Sequence, residues 1–340
     1  MTIRERIEYN EKMTLIKEAC FSKDSKGREV PEEADSYRTC FMHDRDRIIH
    51  SKAFRRLKHK TQVYIKTGGD HYRTRLTHTL EVSQIARTIA RGIAINEDLV
   101  EAITLGHDIG HVAFAHNGEE VLNERLEEGF RHNEQSVRVL RKLEKDGKGL
   151  NVTLEVLDGI LHHSGLKSGE TSMTLEGQIA KFADKIAYVN HDIDDSIRAG
   201  LLQVNDLPQE FIEVLGKTHG TRIDTLVRNI VDKTNDNLSR GISKVELSSE
   251  IFNALYGLRA YLFKNIYNGD HLKEEREKAK FVLHKLFDYY DNHLEKMPGQ
   301  FIKISEAEGK NRAIADFIAG MTDDYAIAQF NQIYVPKIVV

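Results

Sequence analysis

Apolar positions recur at helical spacing along most of the chain. Between Arg73 and Ala94, Val82, Ile85, Ala86, Ile89, Ala90 and Ile93 fall at i, i+3, i+4, i+7, i+8 and i+11. That single stripe predicts an amphipathic helix buried on one side. His78, four residues before Val82, continues the stripe at the helix start. Asp98 followed by Glu101 reads as an N-cap with its capping-box partner, opening a helix whose inward positions are Val100, Ile103 and His107 and which Gly110 ends. Upstream, a short helix is expected near Ile3–Cys20, then an irregular arm. The basic Asp44–Tyr64 stretch is expected to be helical through Arg56 and to break at Gly68-Gly69-Asp70.

Downstream, Asn117–Glu128, His132–Lys145 and Thr153–His163 each read as a helix stopped by glycine, and Lys167–Ser172 as a polar loop. A long helix is expected over Thr174–Ala199, with Ile179, Phe182, Ala183, Ile186, Ile193 and Ile197 in its apolar stripe. Asp184, Tyr188 and Asp192 lie four apart on an adjoining face and can look into one cavity. Further helices are expected at about 206–216, 220–236, 246–267, 271–296 and 301–332. Strand-like alternation is scarce, and Val335–Val340 reads as a short strand or a tail. The fold class is therefore all-α. Along the chain we expect an arm over 1–40, a core over 41–200 and a C-terminal helical region over 201–340 packed on that core.

Composition narrows the function classes. The 340 residues carry a formal net charge of -4, which does not suggest binding of nucleic acid through bulk charge. Cys20 and Cys40 have no partner at zinc-finger spacing and imply no disulfide framework, so a reducing, cytoplasmic setting is expected. Met1–Lys12 is charged rather than apolar, unlike a signal peptide, and no apolar run reaches the roughly 20 residues that span a bilayer, so no membrane partner is expected.

The chemistry concentrates between Arg75 and His116. His78, the adjacent pair His107-Asp108 and a downstream Asp184 form a set of imidazole and carboxylate donors suited to Mn, Fe, Co, Ni, Zn or Mg. A His-Asp dipeptide alone is common by chance. An upstream His at a helix start, Asp184 on a long helix and three more histidines within 25 residues of the pair make it a site.

These residues resemble the HD-domain superfamily of metal phosphohydrolases and, within it, the deoxynucleoside triphosphate triphosphohydrolases, the dGTPase-like proteins. The matching blocks are Arg45–Ser51, Phe54–Leu57, Lys60–Val63, Arg73–His78, Gly106–His111, His116–Glu119, His132–Ser136, Phe182–Tyr188 and Ala319–Ala326. The resemblance implies an HD-domain helical bundle with additional C-terminal helices, the core over 41–200 being the phosphohydrolase part. It implies a divalent metal ion on His78, His107, Asp108 and Asp184, and His116 with Glu119 as the catalytic pair. It implies triphosphate contacts from Arg75, His111, His132 and Lys185. Gln62 and Asp192 would bind the sugar 3′-hydroxyl, and Tyr188 would pack against the 2′ carbon and exclude a ribose. On the residues alone, Tyr188 reads as a core aromatic, and Arg75 and Lys185 read equally as surface charges or as phosphate contacts. His162-His163 and Arg55-Arg56 receive no role.

The resemblance further implies a deoxynucleoside triphosphate substrate, a homo-oligomer (tetramer or hexamer) and activation by a second deoxynucleotide. Where such proteins commonly read His-Pro-Pro-Phe-Gly-His, this chain has His111-Val112-Ala113-Phe114-Ala115-His116, which removes two φ constraints and a glycine. Two alternatives stand beside the main reading. One is another HD phosphohydrolase, acting on a nucleoside monophosphate or a cyclic or guanosine tetraphosphate nucleotide. The other is a nucleotide-sensing or single-stranded DNA-binding protein with weak activity, which the altered loop and the basic Arg38–Lys66 segment keep open.

Overall fold

A computed structural model describes residues 1–62, 73–164, 170–267, 269 and 273–337. The described residues form helices, with two isolated bridges, Arg28–Thr153 and Thr61–Thr74, in place of any strand. The expected all-α class is what the chain adopts. The chain divides into two compact units, each assembled from three stretches: Met1–Ser51, Thr77–His107 and Leu150–Gly269 in the first, Lys52–Leu76, Asp108–Gly149 and Asp270–Val340 in the second.

In the first unit the predicted stripe is the core. Val82, Ile85, Ala86, Ile89, Ala90 and Ile93 are all buried on the helix Arg75–Ile93. The short helix Glu97–Gly106 packs against Cys40–Ile49, Leu154–His162 and Leu175–Arg198. It is apolar on almost every side, because Leu99, Val100, Ala102, Ile103 and Leu105 each meet a neighbouring helix. Its start differs from expectation. Asn96 is the cap, its side chain accepting from the Leu99 amide at 3.2 Å, while Asp98 sits in the first turn 3.3 Å from Arg45. A strong cation beside Asp98 draws its carboxylate away from the backbone. The helix also closes earlier than Gly110: Gly106 is its last residue and His107 follows as C-cap.

In the second unit, Lys273–Asn292, Lys310–Ala319 and His116–Arg125 enclose Val121, Leu122, Leu283, Leu286, Phe287, Ile314 and Ile318. The expected 301–332 helix is three: Gly299–Glu308, Lys310–Ala319 and Asp323–Tyr334. Gly309, at φ 96°, turns the chain between the first two, and Thr322 caps the third with its side chain on the Tyr325 amide. Three other boundaries shift. The first helix is Ile3–Thr14; the 44–56 segment is two helices, Cys40–Ile49 and Lys52–Arg56; and His132–Arg138 passes into a π turn at Val139–Leu143. The expected break at Gly68-Gly69-Asp70, part of the 167–172 loop and residues 338–340 lie outside the described residues, and 335–337 form no strand.

Candidate functional site

Three of the predicted metal donors come together in the first unit. Asp184, in the middle of the helix Leu175–Arg198, has Oδ1 3.2 Å from His78 Nε2 and 3.8 Å from His107 Nε2. Both imidazoles are buried. His107 is held in one tautomer, its Nδ1–H donating to the Thr104 carbonyl at 2.6 Å, so Nε2 is the nitrogen turned toward the carboxylate. Burial opposes the charge on Asp184. The His78 hydrogen bond, Lys185 and His107 outweigh it and hold the carboxyl well below the usual carboxylate range. Two imidazole Nε2 atoms and an ionised oxygen, all turned to one point, are a donor set that a divalent cation fits once it replaces the proton on His78 Nε2.

Two more histidines adjoin this set: His191, not named from the sequence, and His163, named there without a role. His191 Nδ1 lies 3.2 Å from Glu81 Oε2, and its ring meets His78 edge-on at 6.0 Å. His163 meets His107 edge-on at 4.9 Å, its own Nδ1–H bonded to the Ile160 carbonyl at 2.7 Å. His162 instead pairs with Asp158 at 3.0 Å. One turn beyond Asp184, Tyr188 carries Lys185 Nζ 5.4 Å from its ring centre and accepts a hydrogen bond from Arg259 Nε at its hydroxyl. A further turn on, Asp192 accepts from the Tyr267 hydroxyl. Nothing in the spacing of the chain pointed to Arg259 or Tyr267.

The second unit holds the remaining histidines. Arg75 Nη1 donates to Asp108 Oδ2 at 2.7 Å, and His111 Nε2 lies 3.2 Å from Asp108 Oδ1, all three side chains being buried. His111 stacks on His132, and His132 Nδ1–H donates to Glu119 at 3.1 Å while its backbone amide donates to the same carboxylate at 2.9 Å. His116, 74% exposed, points Nδ1 at the other Glu119 oxygen at 3.5 Å. Burial opposes ionisation of Glu119, yet bonds from His116 and His132 hold its carboxyl far below the ordinary value. Asp108, His111 and His132 each offer an atom within 4.8 Å of the others. Arg75 is paired with Asp108 and His132 with Glu119, so the cations of this cluster are matched by carboxylates.

The loop joining these histidines has its own supports. Gly110 donates to Ser136 Oγ at 2.9 Å, and a Cβ on Gly110 would stand 2.2 Å from the Ser136 amide nitrogen. The close approach that puts His111 against His132 therefore requires glycine. Buried Lys60 donates to the His111 and Ala319 carbonyls, and burial lowers its pKa to about 7. Val112, Ala113 and Phe114 fill core, and Asp323 accepts from the Phe114 amide at 3.0 Å. Gln62 Oε1 is buried and has no hydrogen-bond partner among the described residues.

Comparison with known proteins places these residues in a recognised frame. The HD domain matches residues 75–189, and the phosphohydrolase-associated domain matches residues 245–332. A protein from Clostridium tetani is 60% identical over 343 residues, covering 100% of this chain and 98% of that one. One from Clostridium perfringens is 60% identical over 340 residues, covering 100% and 99%. One from Caldanaerobacter subterraneus is 55% identical over 337 residues, covering 99% and 97%. Each is named a deoxyguanosinetriphosphate triphosphohydrolase-like protein.

Proposed function

Because the chain belongs to the HD-domain family of deoxyguanosinetriphosphate triphosphohydrolase-like proteins, we propose that it hydrolyses deoxynucleoside triphosphates to a deoxynucleoside and inorganic triphosphate. One observation carries this reading. A single helix presents Asp184 to two buried imidazoles and then, one and two turns on, presents Tyr188 and Asp192. Donors for a metal and groups able to read a sugar thus share one rigid element.

In this reading His78, His107 and Asp184, with Asp108 as the residue after His107, hold the divalent ion. Mn, Mg, Fe, Co, Ni and Zn all suit the donors. When bound, the ion supplies Lewis-acid withdrawal of charge from a phosphate oxygen. The triphosphate carries about four negative charges, which Arg75, His111, His132 and Lys185 offset through N–H donors. Water attacks the α-phosphorus, the bond to the 5′ oxygen breaks, and that oxygen takes up a proton. His116 is exposed enough to reach the reacting atoms, and Glu119 orients its ring. Gln62 and Asp192 bind the 3′-hydroxyl. In this reading the Tyr188 ring packs against the 2′ carbon and leaves no room for a 2′-hydroxyl, so ribonucleotides are excluded by shape.

The test is product analysis by chromatography with each of the four dNTPs and with GTP, in Mn or Mg, singly and in mixtures. Deoxynucleoside with intact triphosphate is expected, with little product from GTP and loss of activity in His116→Ala. Metal content by mass spectrometry is expected to fall in Asp184→Asn. Nucleoside diphosphate or monophosphate products would replace this reading with another HD phosphohydrolase. Absence of turnover in every mixture, together with salt-sensitive DNA binding, would favour the sensing alternative.

A further inference from the structure

The helix Ser249–Leu262 runs on into a π turn, Phe263–Tyr267. In an unbroken α-helix, residues eight apart are rotated by about 80° from one another. The extra residue of a π turn absorbs about 100°, bringing positions 259 and 267 back to within about 20° of one face. That face meets the helix Leu175–Arg198. Arg259 Nε donates to the Tyr188 hydroxyl, and the Tyr267 hydroxyl donates to Asp192 Oδ2. Phe263, inside the π turn, supports both: the Arg259 guanidinium lies 4.7 Å from its ring centre, and the Tyr267 ring meets it at 4.9 Å and 82°. The two groups that read the sugar in the proposed function are thus each held by a residue of the phosphohydrolase-associated segment, 245–332.

We propose that Arg259 and Tyr267 are positioning residues for sugar selection, and that the π turn is the device that lets one helix supply both. The inference rests on the sugar-reading roles given to Tyr188 and Asp192. Its physical basis is that a ring excludes a hydroxyl only if it cannot swing aside. A shift of about 1 Å at a positioning group is enough to change rates greatly. Tyr188 lies on a helix whose rotamer wells leave more than one χ1 open. The Arg259 bond at the far end of the ring selects one, and the contact of Arg259 with Phe263 keeps the guanidinium in place. By the same logic Tyr267 fixes the orientation of the Asp192 carboxylate through its Oδ2.

The experiment compares dGTP with GTP, and dGTP with its 2′,3′-dideoxy analogue, by steady-state hydrolysis and by calorimetric binding. Arg259→Met is expected to lower the dGTP over GTP ratio of kcat/KM about ten-fold, through gain of GTP turnover as well as loss with dGTP. Tyr188→Phe keeps the ring but removes the anchored hydroxyl, and is expected to do the same. The double variant should be no less selective than either single one, since both remove one interaction. Arg259→Lys, which still donates, should restore part of the ratio. Tyr267→Phe should narrow the preference for dGTP over the dideoxy analogue. Equal loss on dGTP and GTP in Arg259→Met, with the ratio unmoved, would overturn the positioning role while leaving the hydrolase reading intact. A wild-type protein that hydrolyses no dNTP but binds dGTP over GTP, with that preference lost in Arg259→Met, would overturn the hydrolase reading and keep the clamp. Neither turnover nor preferential binding would overturn both.

Discussion

His111 and His132 lie face to face, ring centroids 4.0 Å apart and planes 13° from parallel. Two imidazolium ions do not share that position, and their surroundings divide the proton between them. Burial, then Arg75 and His132, push His111 well below the ordinary histidine value. Burial also opposes charge on His132, but the Glu119 carboxylate overrides it and raises the pKa. The proton is therefore held on His132 in preference to His111.

NMR titration of the histidines checks this division. His132 should titrate above 6.5, and Glu119→Gln should bring it down. Its folded pKa is raised, so its contribution to stability is complete below the unfolded value of about 6.5 and is lost as pH rises through the folded value. The KM for an anionic substrate should rise over the same interval. A His132 midpoint indifferent to Glu119→Gln would remove the basis for calling it the charged partner.

Ala115 stands at φ 56°, ψ -129°, and Phe114 before it at φ 61°. Both lie where side chains are rarely accommodated, and the related loops described above carry glycine at the Ala115 position. Ala115→Gly should raise stability by about 1 kcal/mol, the relieved strain exceeding the added freedom of the unfolded chain. Denaturant midpoints of the two proteins measure it, and a lower midpoint for the glycine variant would show that the neighbouring core already absorbs the strain.

Glu176 is fully buried, its Oε1 accepting from the Cys20 amide at 2.9 Å and the Asn96 amide at 3.1 Å. Burial raises its pKa to about 6, against these bonds. The sign follows from the raised folded value: its contribution is complete below about 4.5 and is lost as pH rises through about 6. Glu176→Gln should abolish that slope, which amounts to about 2 kcal/mol. Urea unfolding at a series of pH values between 4 and 8 tests it, and an unchanged slope would assign the dependence to another group.

Asp316 is buried beneath Arg138, Arg312 and Gln135, with contacts of 2.6, 2.7 and 2.9 Å. Removing it leaves the largely buried Arg312 guanidinium without its carboxylate and Arg138 with Glu308 alone. Asp316→Ala should cost about 3 kcal/mol or more, and Asp316→Asn less. Equilibrium unfolding distinguishes them; equal effects would mean that the hydrogen bonds matter and the charge does not.

Much of the site was legible because local periodicity and ligand chemistry act over short distances. The stripe from Val82 to Ile93 is buried as its spacing requires, and His78 sits one turn before it. Asp184, Tyr188 and Asp192 share one face of a helix because residues four apart lie one above the other along it. Where two local signals competed, spacing could not choose between them. Asn96 and Asp98 are both capping residues, and the choice fell to Arg45, 53 positions before Asp98. The break at Gly309 in the last helices was hidden for the same reason, since an apolar stripe continues on either side of a turn.

The sequence by itself determined an all-helical chain, the helices on which the metal-type donors lie, and the order of those donors. Tertiary structure decided which of their atoms meet. His78 faces Asp184 across 106 positions, and no periodic rule reaches that far. It also decided that Arg259 and Tyr267 stand over Tyr188 and Asp192. A π turn adds one residue to a helix without a residue type that announces it, and packing against a second helix is what makes the added residue stable.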